Sequence, residues 1–474
     1  MIRFFNTLTR QKEEFVPIQK GKVKWYSCGP TVYDFAHIGN LSTFIFGDLL
    51  RRYLEYRGLE VVHVMNITDV DDKTINGAKR AGTTLAEFTE KYAQSFFTDL
   101  KALEIKPAAV YPRATAHIPE MIVLIKTLLK KGLAYQQKDG SIYYRIYSFP
   151  TYGKLAGIDP KNLKAGASGI KADEYKKEDV ADFALWKAWE EEDGEVFWQT
   201  EIGKGRPGWH IECSAMSMKY LGKTLDIHTG GIDLVFPHHQ NEIAQSEGAT
   251  GQKFVNYWLH RSHLIVEGEK MSKRLGNMKT LKDIAGSTLD NMAFRYLVVS
   301  NHYRSPLNFT EKSFEAAKST VLRLVNLYSA LNQVWDATKT GLSQETIQLL
   351  ENARKRFVEA LDDDLDTPTA MAAVFEFAGK IEEMLAKGTV SESSAVLIVS
   401  FLSEIDDVIA VIENVYDERR TNLPPDFSSL IKEREESRAK KDYARADEIR
   451  RMLLEKNIQL EDTPRQGTVW RWTS

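Results

Sequence analysis

The stretch from residue 23 to residue 67 constrains the fold more than any other part of the chain. Its first segment, Val23 to Cys28, is rich in aromatic and β-branched residues and ends at Gly29-Pro30. Apolar residues then recur at helical spacing between Ile38 and Gly58. A second strand-like segment runs from Glu60 to Ile67. A strand, a helix and a strand in this order predict a βαβ unit, and hence a parallel sheet with covered faces.

The rest of the chain predicts an α/β protein of several domains, because 474 residues are too many for one ordinary domain. We predict a Rossmann-type parallel sheet domain with an insertion, followed by an all-α bundle and a small C-terminal domain. The predicted segments are the first Rossmann half 1–120, the insertion 121–200, the second Rossmann half 201–260, a lysine-loop region 261–305, the helical bundle 306–418 and the C-terminal domain 424–474.

Composition excludes several classes of protein. Hydrophobic residues make up 43% of the chain, so sizeable cores form and wholesale disorder is excluded. The net charge of -3 gives no global sign of nucleic-acid binding, so any RNA contact must come from local basic patches. Two cysteines are too few for a disulfide scaffold. No signal peptide or apolar stretch of membrane-spanning length is evident, and we expect a soluble cytoplasmic protein without membrane contact.

The helix predicted after the first strand opens with a motif that suits phosphate binding. His37-Ile38-Gly39-Asn40 falls where free backbone N–H groups and the positive end of the helix dipole attract anions. Gly39 has no side chain to block a nucleotide, and His37 and Asn40 can both donate hydrogen bonds. The alternative interpretation is that His37 only caps the helix.

A cationic motif lies far downstream. Lys270-Met271-Ser272-Lys273-Arg274 is flanked by glycines and has few large apolar residues to pin it. Such a loop can close over a triphosphate and offset charge as pyrophosphate leaves. The alternative is a solvated basic turn. Each motif is weak alone, but together they predict an ATP site that uses His37, Asn40, Lys270 and Lys273.

The run from Asp226 to Asp233 contains two further candidate residues for nucleotide binding. Gly231 permits close backbone approach, and Asp233 can bond a ribose hydroxyl. A tight turn with a capping aspartate is the alternative. Two other segments receive structural interpretations. We interpret Asp362-Asp363-Asp364 as a capped, solvated helix junction, and Glu418 to Asp426 as a linker.

The two cysteines indicate a metal. Cys28 ends the first strand, and Cys213 lies far from it in sequence. His238 and Glu242 are four residues apart in a predicted helix that begins at Pro237, so they share one face. Two thiolates, an imidazole and a carboxylate suit a tetrahedral zinc site. The alternative is two buried thiols and an ordinary His/Glu pair.

Zinc has a clear use if the substrate carries a thiol. It binds thiolates and lowers the pKa of a coordinated thiol. Serine has the shape of cysteine, and a selectivity of ~10⁴ requires roughly 5.5 kcal/mol, more than a methylene-sized difference supplies. A metal–sulfur bond can supply that difference.

These motifs closely resemble those of the cysteinyl-tRNA synthetases, a family of class I aminoacyl-tRNA synthetases. The resemblance covers nearly the whole chain. It rests on Gly29-Pro30-Thr31-Val32-Tyr33-Asp34, His37 to Asn40, Asn66 to Lys73, Pro207 to Cys213, Phe236-Pro237-His238-His239, Lys270 to Arg274, His302 to Asn308 and Leu460 to Thr463.

The chain departs from the family pattern at a few positions. Asn40 replaces the histidine that ends the class I signature, and Leu41-Ser42 follows where Ala-Arg is usual. Arg274 stands where serine is common, and Gln240 where glutamate is common. None of these changes removes a proposed ligand or catalytic group.

The resemblance implies ATP-dependent activation of L-cysteine to cysteinyl-adenylate, with Mg²⁺ accompanying ATP, and transfer to the 3′ end of tRNA(Cys). It assigns one zinc ion per chain to Cys28, Cys213, His238 and Glu242. It identifies Lys273 as the ATP-binding lysine and implies Thr68 and Trp209 near the substrate cysteine. The helical bundle and the C-terminal domain are implied to contact the tRNA, including its anticodon. We expect a monomer.

Three rival functions make different demands on the sequence. A ligase that passes cysteine to an amino-sugar should lack an anticodon-binding tail, whereas this chain keeps 50 residues after Pro424. A zinc hydrolase needs an open coordination position on the metal for water, and it would have no function for Lys270 and Lys273. A non-catalytic RNA-binding relative could lose the zinc ligands without penalty.

Overall fold

The computed structural model of the protein describes residues 1–159, 182–271, 276–334, 341–421, 425–456, 458–463 and 467–472. The chain divides into two compact units. The first unit comprises Met1–Asp283, Asn301–Phe309 and Leu361–Asp366. The second unit comprises Ile284–Ser300, Thr310–Ala360 and Thr367–Ser474.

Up to residue 309, the chain contains both helices and strands. In chain order they are β1 (Arg3–Asn6), β2 (Gln11–Glu14), β3 (Lys22–Ser27), α1 (Ile38–Tyr56), β4 (Glu60–Met65), α2 (Asp72–Ala81), α3 (Leu85–Ala102), α4 (Ile118–Lys130), β5 (Ala134–Gln136), β6 (Ile142–Tyr144), β7 (Phe183–Ala188), β8 (Trp198–Thr200), β9 (Gly203–Pro207), α5 (Trp209–Leu221), β10 (Leu225–Gly231), α6 (Gln240–Thr250), β11 (Val255–Arg261), β12 (Leu264–Val266), β13 (Glu269–Lys270), α7 (Leu281–Ile284), α8 (Thr288–Val299) and β14 (Leu307–Phe309).

From residue 310 onward helices dominate, and a hairpin follows them. The elements are α9 (Glu311–Asn332), α10 (Gln344–Asp362), α11 (Thr367–Ala386), α12 (Glu392–Ile409), α13 (Glu413–Thr421), α14 (Pro425–Ala439), α15 (Tyr443–Glu455), β15 (Ile458–Thr463) and β16 (Gly467–Trp472). The predicted α/β class, with a Rossmann-type sheet followed by a helical region, is confirmed.

A parallel sheet lies at the centre of the first unit. Its strand order in the described residues is β11-β10-β3-β4, and each neighbouring pair is parallel. The predicted βαβ unit is confirmed, because α1 connects β3 to β4 and the register runs from Lys22 opposite Glu60 to Ser27 opposite Met65. The carboxyl ends of β3, β4, β10 and β11 therefore meet at one edge, where ligands bind in such sheets.

The first helix packs on this sheet through the apolar face that its sequence predicts. Leu41, Ile45 and Leu49 recur every four residues, and all three are buried. Gly47 lets the helix approach the strands, because a Cβ at that position would lie 3.0 Å from the indole of Trp25. The close packing places the first turn of α1 beside the edge where the strands end.

The segment predicted as an insertion, 121–200, contributes β5, β6, β7 and β8 to a separate antiparallel sheet, whose remaining strand β9 lies beyond the predicted boundary. The strand order of this sheet is β5-β6-β7-β9-β8. A core of apolar side chains lies between this sheet, α4 and α5; it includes Ile125, Leu128, Ile142, Trp186 and Ile211. The sheet continues directly into α5, which carries Cys213.

The interpretation of the three aspartates as solvated is wrong for Asp364. Its carboxylate is fully buried within the first unit. It accepts hydrogen bonds from the backbone N–H of Phe5 at 2.7 Å, from the Tyr303 hydroxyl at 2.5 Å and from Arg304 Nε at 2.7 Å. Asp364 therefore holds the N-terminal strand to the segment around residue 303, whereas Asp362 and Asp363 remain partly exposed.

The linker interpretation of Glu418 to Asp426 is also wrong in part. Glu418 lies in α13, which runs to Thr421, and Asp426 lies in α14, which begins at Pro425. Helix formation continues because the proline occupies the first helical position, where no N–H is required. Residues 422–424 lie outside the described residues.

The last segment of the second unit has a small core of its own. α14, α15 and the β15–β16 hairpin pack around Ile431, Ile449, Leu453, Ile458 and Leu460. Arg434 on α14 makes a bidentate ion pair with Asp462 on β15, with N–O distances of 2.8 and 2.7 Å. Within the described residues, no helix is both long enough and apolar enough to cross a membrane.

Candidate active site and metal centre

Both cysteines lie at the carboxyl edge of the parallel sheet. Cys28 follows the last residue of β3, and Cys213 lies in the first turns of α5. Their sulfur atoms are 3.9 Å apart, and both side chains are buried. No disulfide joins them. The tertiary structure thus brings together two thiols that are 185 residues apart in the sequence.

His238 and Glu242 complete a four-residue group, which we call the thiol cluster. His238 Nε2 is 3.1 Å from Glu242 Oε1, and that oxygen is 3.8 Å from Cys28 Sγ. The four candidate ligand atoms of Cys28, Cys213, His238 and Glu242 all lie within 4.8 Å of one another. Side chains that can hold one metal ion therefore converge, as the sequence analysis expects.

The local backbone here tests the predicted helix start. Val235–His239 forms a π-helical turn with Phe236 in an extended conformation, and α6 begins at Gln240. His238 and Glu242 face each other across one turn. Because Phe236 is the only residue of this turn with non-helical backbone angles, helical backbone begins at Pro237, as predicted, and the shared face of the pair is confirmed.

Two histidines that the sequence analysis did not select also reach this site. Cys28, His228, His239 and Glu242 form a second group of ligand atoms within 4.8 Å of one another. His228 Nε2 is 3.1 Å from Glu242 Oε2, and His239 Nε2 is 3.3 Å from Cys28 Sγ. His228 could have been found from its place near the end of a strand at the ligand edge, and His239 from its position beside His238.

Charge within the thiol cluster is unevenly distributed. Burial raises the pKa of Glu242, but the neighbouring His228 and His238 outweigh burial and lower it to about 2. Burial lowers the pKa of His238, but the negative charges of Cys213 and Glu242 outweigh it and raise that pKa to about 10. Burial and the adjacent Cys213 raise the pKa of the Cys28 thiol.

The donor set fits a thiophilic dication. Its members lie in the interior of the protein, with Glu242 fully buried and Cys213 only 1% exposed. Buried anionic ligands are costly unless a cation compensates them. Sulfur, nitrogen and oxygen donors in this proportion suit zinc better than magnesium or calcium, which prefer oxygen alone.

Thr68 and Trp209 lie beside the thiol cluster. Trp209 packs against the imidazole of His238, with ring centroids 4.3 Å apart. The hydroxyl of Thr68 is buried and donates to Glu212 Oε2 at 3.0 Å, and Glu212 immediately precedes Cys213. Asn66 donates to the same hydroxyl at 3.1 Å. The sequence analysis did not select Asn66 or Glu212 individually as site residues.

The start of α1 shows that His37 is a cap. His37 Nδ1 accepts a hydrogen bond from the Asn40 backbone N–H at 3.2 Å, and Asn40 Oδ1 accepts from the His37 N–H at 3.4 Å. This capping box fixes the orientation of both side chains at the positive end of the helix. Capping and anion binding are compatible, because His37 is half-buried and Asn40 is exposed.

Met271, the residue that follows β13, lies beside this helix start. A Cβ at Gly39 would lie 2.6 Å from Met271 Cε, so the glycine makes room for that side chain. Ile38 N–H donates to the Lys279 carbonyl at 2.8 Å. We call this surface, which comprises His37–Asn40, Lys270 and Met271, the phosphate edge. The two distant motifs thus meet in the tertiary structure.

Of the two lysines predicted to contact ATP, the structure describes Lys270 only. Lys270 ends β13 and is exposed. Lys273 lies outside the described residues, as do Ser272 and Arg274. The ATP-binding role of Lys273 therefore stays a prediction.

Gly231 and Asp233 lie where β10 ends at the ligand edge. Gly231 is the last residue of β10, and a short turn, Ile232–Leu234, follows it. A Cβ at Gly231 would lie 2.4 Å from Asp233 Oδ1, so the glycine permits this tight turn. Asp233 is exposed, and its proposed contact with a ribose stays a prediction.

Comparisons with known protein families agree with this geometry. The family described as the class I (C) tRNA synthetase catalytic domain matches residues 14–319, and the DALR domain family matches residues 356–413. The chain is 46% identical over 470 residues to the cysteine–tRNA ligase of Protochlamydia amoebophila, covering 98% of this chain and 97% of that relative. It is also 46% identical to the cysteine–tRNA ligase of Brachyspira hyodysenteriae over 473 residues, covering 99% of each chain.

Solved structures show the same fold at low sequence identity. Mycobacterium tuberculosis methionyl-tRNA synthetase in complex with methionyl-adenylate is 14% identical, has a TM-score of 0.64, and the match covers 85% of this chain and 94% of that one. Agrobacterium radiobacter LeuRS in complex with tRNA and LeuAMS is 13% identical, with a TM-score of 0.59 and coverage of 84% and 85%. The chain therefore belongs to the cysteinyl-tRNA synthetase family of class I aminoacyl-tRNA synthetases.

Proposed function

We propose that this enzyme activates L-cysteine with ATP to form cysteinyl-adenylate and then transfers the cysteinyl group to the 3′ end of tRNA(Cys). Relatives at 46% identity that carry the name cysteine–tRNA ligase support this function. The observation that carries the proposal is the convergence of Cys28, Cys213, His238 and Glu242 within 4.8 Å beside Thr68 and Trp209.

The thiol cluster holds the metal in this proposal. Bound there, zinc supplies a thiophilic centre that prefers the sulfur of cysteine to the oxygen of serine. Trp209 packs against His238 and limits the rotation of that imidazole. Glu212 accepts a hydrogen bond from the Thr68 hydroxyl and Asn66 donates one to it, which leaves one acceptor lone pair of Thr68 for the substrate.

The phosphate edge acts on ATP. The first backbone N–H groups of α1 and the side chains of His37 and Asn40 hold the triphosphate, while Lys270 and Lys273 offset charge as pyrophosphate leaves. Gly231 and Asp233 receive the nucleoside, and Mg²⁺ accompanies the phosphates. No enzyme nucleophile takes part, because the substrate carboxylate attacks the α-phosphate directly and positioning contributes most of the acceleration.

The second unit supplies the tRNA contacts in this proposal. The helical bundle at 306–418 and the C-terminal domain at 424–474 bind the tRNA, and the latter reads the anticodon. Deleting the residues after Pro424 is expected to weaken tRNA charging and to spare adenylate formation. Equal loss of both steps would argue that the segment is structural. We further propose that the enzyme is a cytoplasmic monomer.

The decisive test is cysteine-dependent exchange of pyrophosphate into ATP, with serine as the control amino acid, before and after treatment with a chelator. We expect exchange with cysteine alone, and loss of exchange after chelation that added zinc restores. Charging of a tRNA(Cys) transcript then separates a tRNA ligase from a ligase with a small-molecule acceptor. Exchange that is equal for serine, or that survives complete removal of the metal, would contradict the proposal.

A further inference from the structure

A patch of aromatic rings and lysines lies on the surface beside the start of α1. Phe35 precedes His37 by two residues, and its side chain is 40% exposed. The ring centroid of Phe35 is 5.2 Å from that of Tyr92 on α3, with an interplanar angle of 75°. Tyr92 packs in the same edge-on manner against Phe88, 5.0 Å away. The buried Phe88 anchors this row of rings, so Phe35 is a fixed ring rather than a mobile surface side chain.

Two exposed lysines, Lys91 and Lys282, lie beside these rings, and a third, Lys73, lies beside the neighbouring Tyr33. Lys282 Nζ is 5.7 Å and Lys91 Nζ is 6.0 Å from the centroid of Phe35. Lys91 is also 5.3 Å from the centroid of Tyr92, and Lys73 is 5.0 Å from that of Tyr33. Because the lysines come from α2, α3 and α7, only the tertiary structure assembles the patch. We call Phe35, Tyr92, Lys73, Lys91 and Lys282 the aromatic platform.

Two carboxylates of α3, Glu87 and Glu90, make their contacts elsewhere, whereas the third, Asp99, interacts electrostatically with Lys282. Glu87 accepts hydrogen bonds from the backbone N–H and hydroxyl of Thr84 at 3.0 and 2.8 Å. Glu90 makes an ion pair with Arg113 at 2.6 Å. Within the part of the chain that the structure describes, the three lysines form no ion pair with a carboxylate. Lys73 interacts electrostatically with Asp71 and Lys282 with Asp99, so the platform places three cations at the surface, of which two have a carboxylate nearby.

An exposed ring bordered by lysines matches one kind of ligand best. Single-stranded nucleic acids place bases on aromatic side chains and phosphates against lysines. An acidic peptide would use the cations but would leave the exposed ring without a specific role. The acceptor in the proposed reaction is the unpaired 3′ end of a tRNA, which must reach the surface where the adenylate forms. The platform is continuous with that surface, because Phe35 lies two residues from His37.

We propose that the aromatic platform binds the single-stranded 3′ segment of the tRNA, with one base stacked on Phe35 and its phosphates beside Lys91 and Lys282. This inference rests on the proposed function for the identity of the RNA. It assigns to these residues the positioning of the acceptor end and no part in adenylate formation.

The test compares Phe35→Ala with a matched control, Phe197→Ala. Phe197 also belongs to the first unit, is 38% exposed, and has Lys204 Nζ 4.1 Å from its ring centroid. Each variant and the unaltered enzyme are titrated with a tRNA(Cys) transcript and with the same transcript lacking its last three nucleotides. Loss of one stacked base weakens binding by roughly 5- to 100-fold when the aromatic side chain is replaced by alanine.

We expect Phe35→Ala to weaken binding of the intact transcript about tenfold and to leave binding of the shortened transcript unchanged. Phe197→Ala should change neither. Equal weakening for both transcripts, no weakening for either, or the same loss in Phe197→Ala would overturn the proposal. A raised KM for ATP in the absence of RNA would assign the ring to the nucleotide and would also overturn it.

Two further variants keep the test decisive if Phe35→Ala folds poorly. Phe35→Leu keeps an apolar side chain and removes the stacking face, so it should show the same dependence on the 3′ nucleotides. Lys91→Met should lower the slope of log K against log salt concentration by about 0.7, the contribution of one phosphate contact in a single strand. An unchanged slope would remove Lys91 from the platform.

Different assays test the proposed function and the role of the aromatic platform. Cysteine-dependent pyrophosphate exchange needs no RNA, and we expect Phe35→Ala to retain it in full. Absence of that exchange in the unaltered enzyme would refute the proposed function. Normal exchange together with unaltered binding of the intact transcript by Phe35→Ala would refute the platform alone.

Discussion

The thiol cluster and the phosphate edge lie in the same unit but are built in different ways. The four side chains of the thiol cluster are buried and come from the end of β3, from α5 and from the segment leading into α6. The phosphate edge is partly exposed, and it includes one local helix start that a capping box stabilises. Under the proposed function, amino-acid selection thus uses buried side chains, whereas ATP binding uses a partly exposed helix start.

The largest expected effect comes from removing a member of the thiol cluster. Cys213→Ala should abolish stoichiometric zinc binding, because it removes a thiolate ligand and leaves an incomplete donor set. Selection of cysteine over serine should then fall far below ~10⁴. Metal analysis of the purified protein and pyrophosphate exchange with both amino acids measure the two effects.

His239→Asn is the matched control for that experiment, because His239 belongs only to the second group of ligand atoms. We expect the variant to retain the metal with an affinity about 10- to 100-fold weaker, as for loss of a supporting hydrogen bond. Retention of zinc in Cys213→Ala together with loss in His239→Asn would show that the metal uses the second group.

Lys273→Ala tests the proposed ATP site, the other member of the comparison. Adenylate formation should fall by about 10²- to 10³-fold, because a cation that offsets the leaving pyrophosphate is removed. Zinc content and cysteine binding should stay unchanged, since the thiol cluster is independent of the loop. Exchange at the normal rate would remove this lysine from the mechanism.

Substitutions of His37 distinguish its role as a helix cap from its proposed role as a phosphate ligand. Asparagine is a good N-cap, so His37→Asn should keep the stability of the protein and still slow adenylate formation by roughly 10²-fold. His37→Ala should show the same kinetic loss and an additional cost of about 1 kcal/mol in the free energy of unfolding. If His37→Asn has full activity, His37 is only a cap. Thermal unfolding and exchange kinetics measure the two roles.

The smallest effect concerns a buried carboxylate that lacks the partners of Glu242. Burial raises the pKa of Asp99 to about 6, although Lys282 partly opposes the shift. Since this folded-state pKa exceeds the unfolded value, the contribution of Asp99 to stability is fully present below about pH 4 and is lost as the pH rises through about 6. Asp99→Asn should therefore stabilise the protein at pH 7 by about 1 kcal/mol after allowance for solvent screening.

Denaturant unfolding of Asp99→Asn at pH 4 and at pH 7 checks this prediction. The gain should be present at pH 7 and nearly absent at pH 4, where Asp99 is already protonated in the folded state. A gain of the same size at both pH values would show that the effect does not come from the carboxylate charge.

Much of the fold followed from local pattern. The apolar spacing of α1, the stop at Gly29-Pro30 and the strand-like run after Gly58 were sufficient to predict the βαβ unit, because hydrophobic periodicity and glycine or proline signals act over a few residues. Prediction from local pattern failed where contacts between residues distant in sequence determine the structure. The burial of Asp364 depends on Phe5, Tyr303 and Arg304, and the sequence near residue 364 does not indicate those partners.

The chemical types at the site were visible in the sequence, since thiols, an imidazole and a carboxylate limit which ions a chain can bind. Their convergence was not, because Cys28 and Cys213 are brought to 3.9 Å by the packing of α5 against the sheet. The same packing adds His228 and His239, and the contacts among α2, α3 and α7 assemble the aromatic platform. Residue identity and short-range periodicity determined the chemistry and the elements, whereas long-range packing alone decided which side chains share a site.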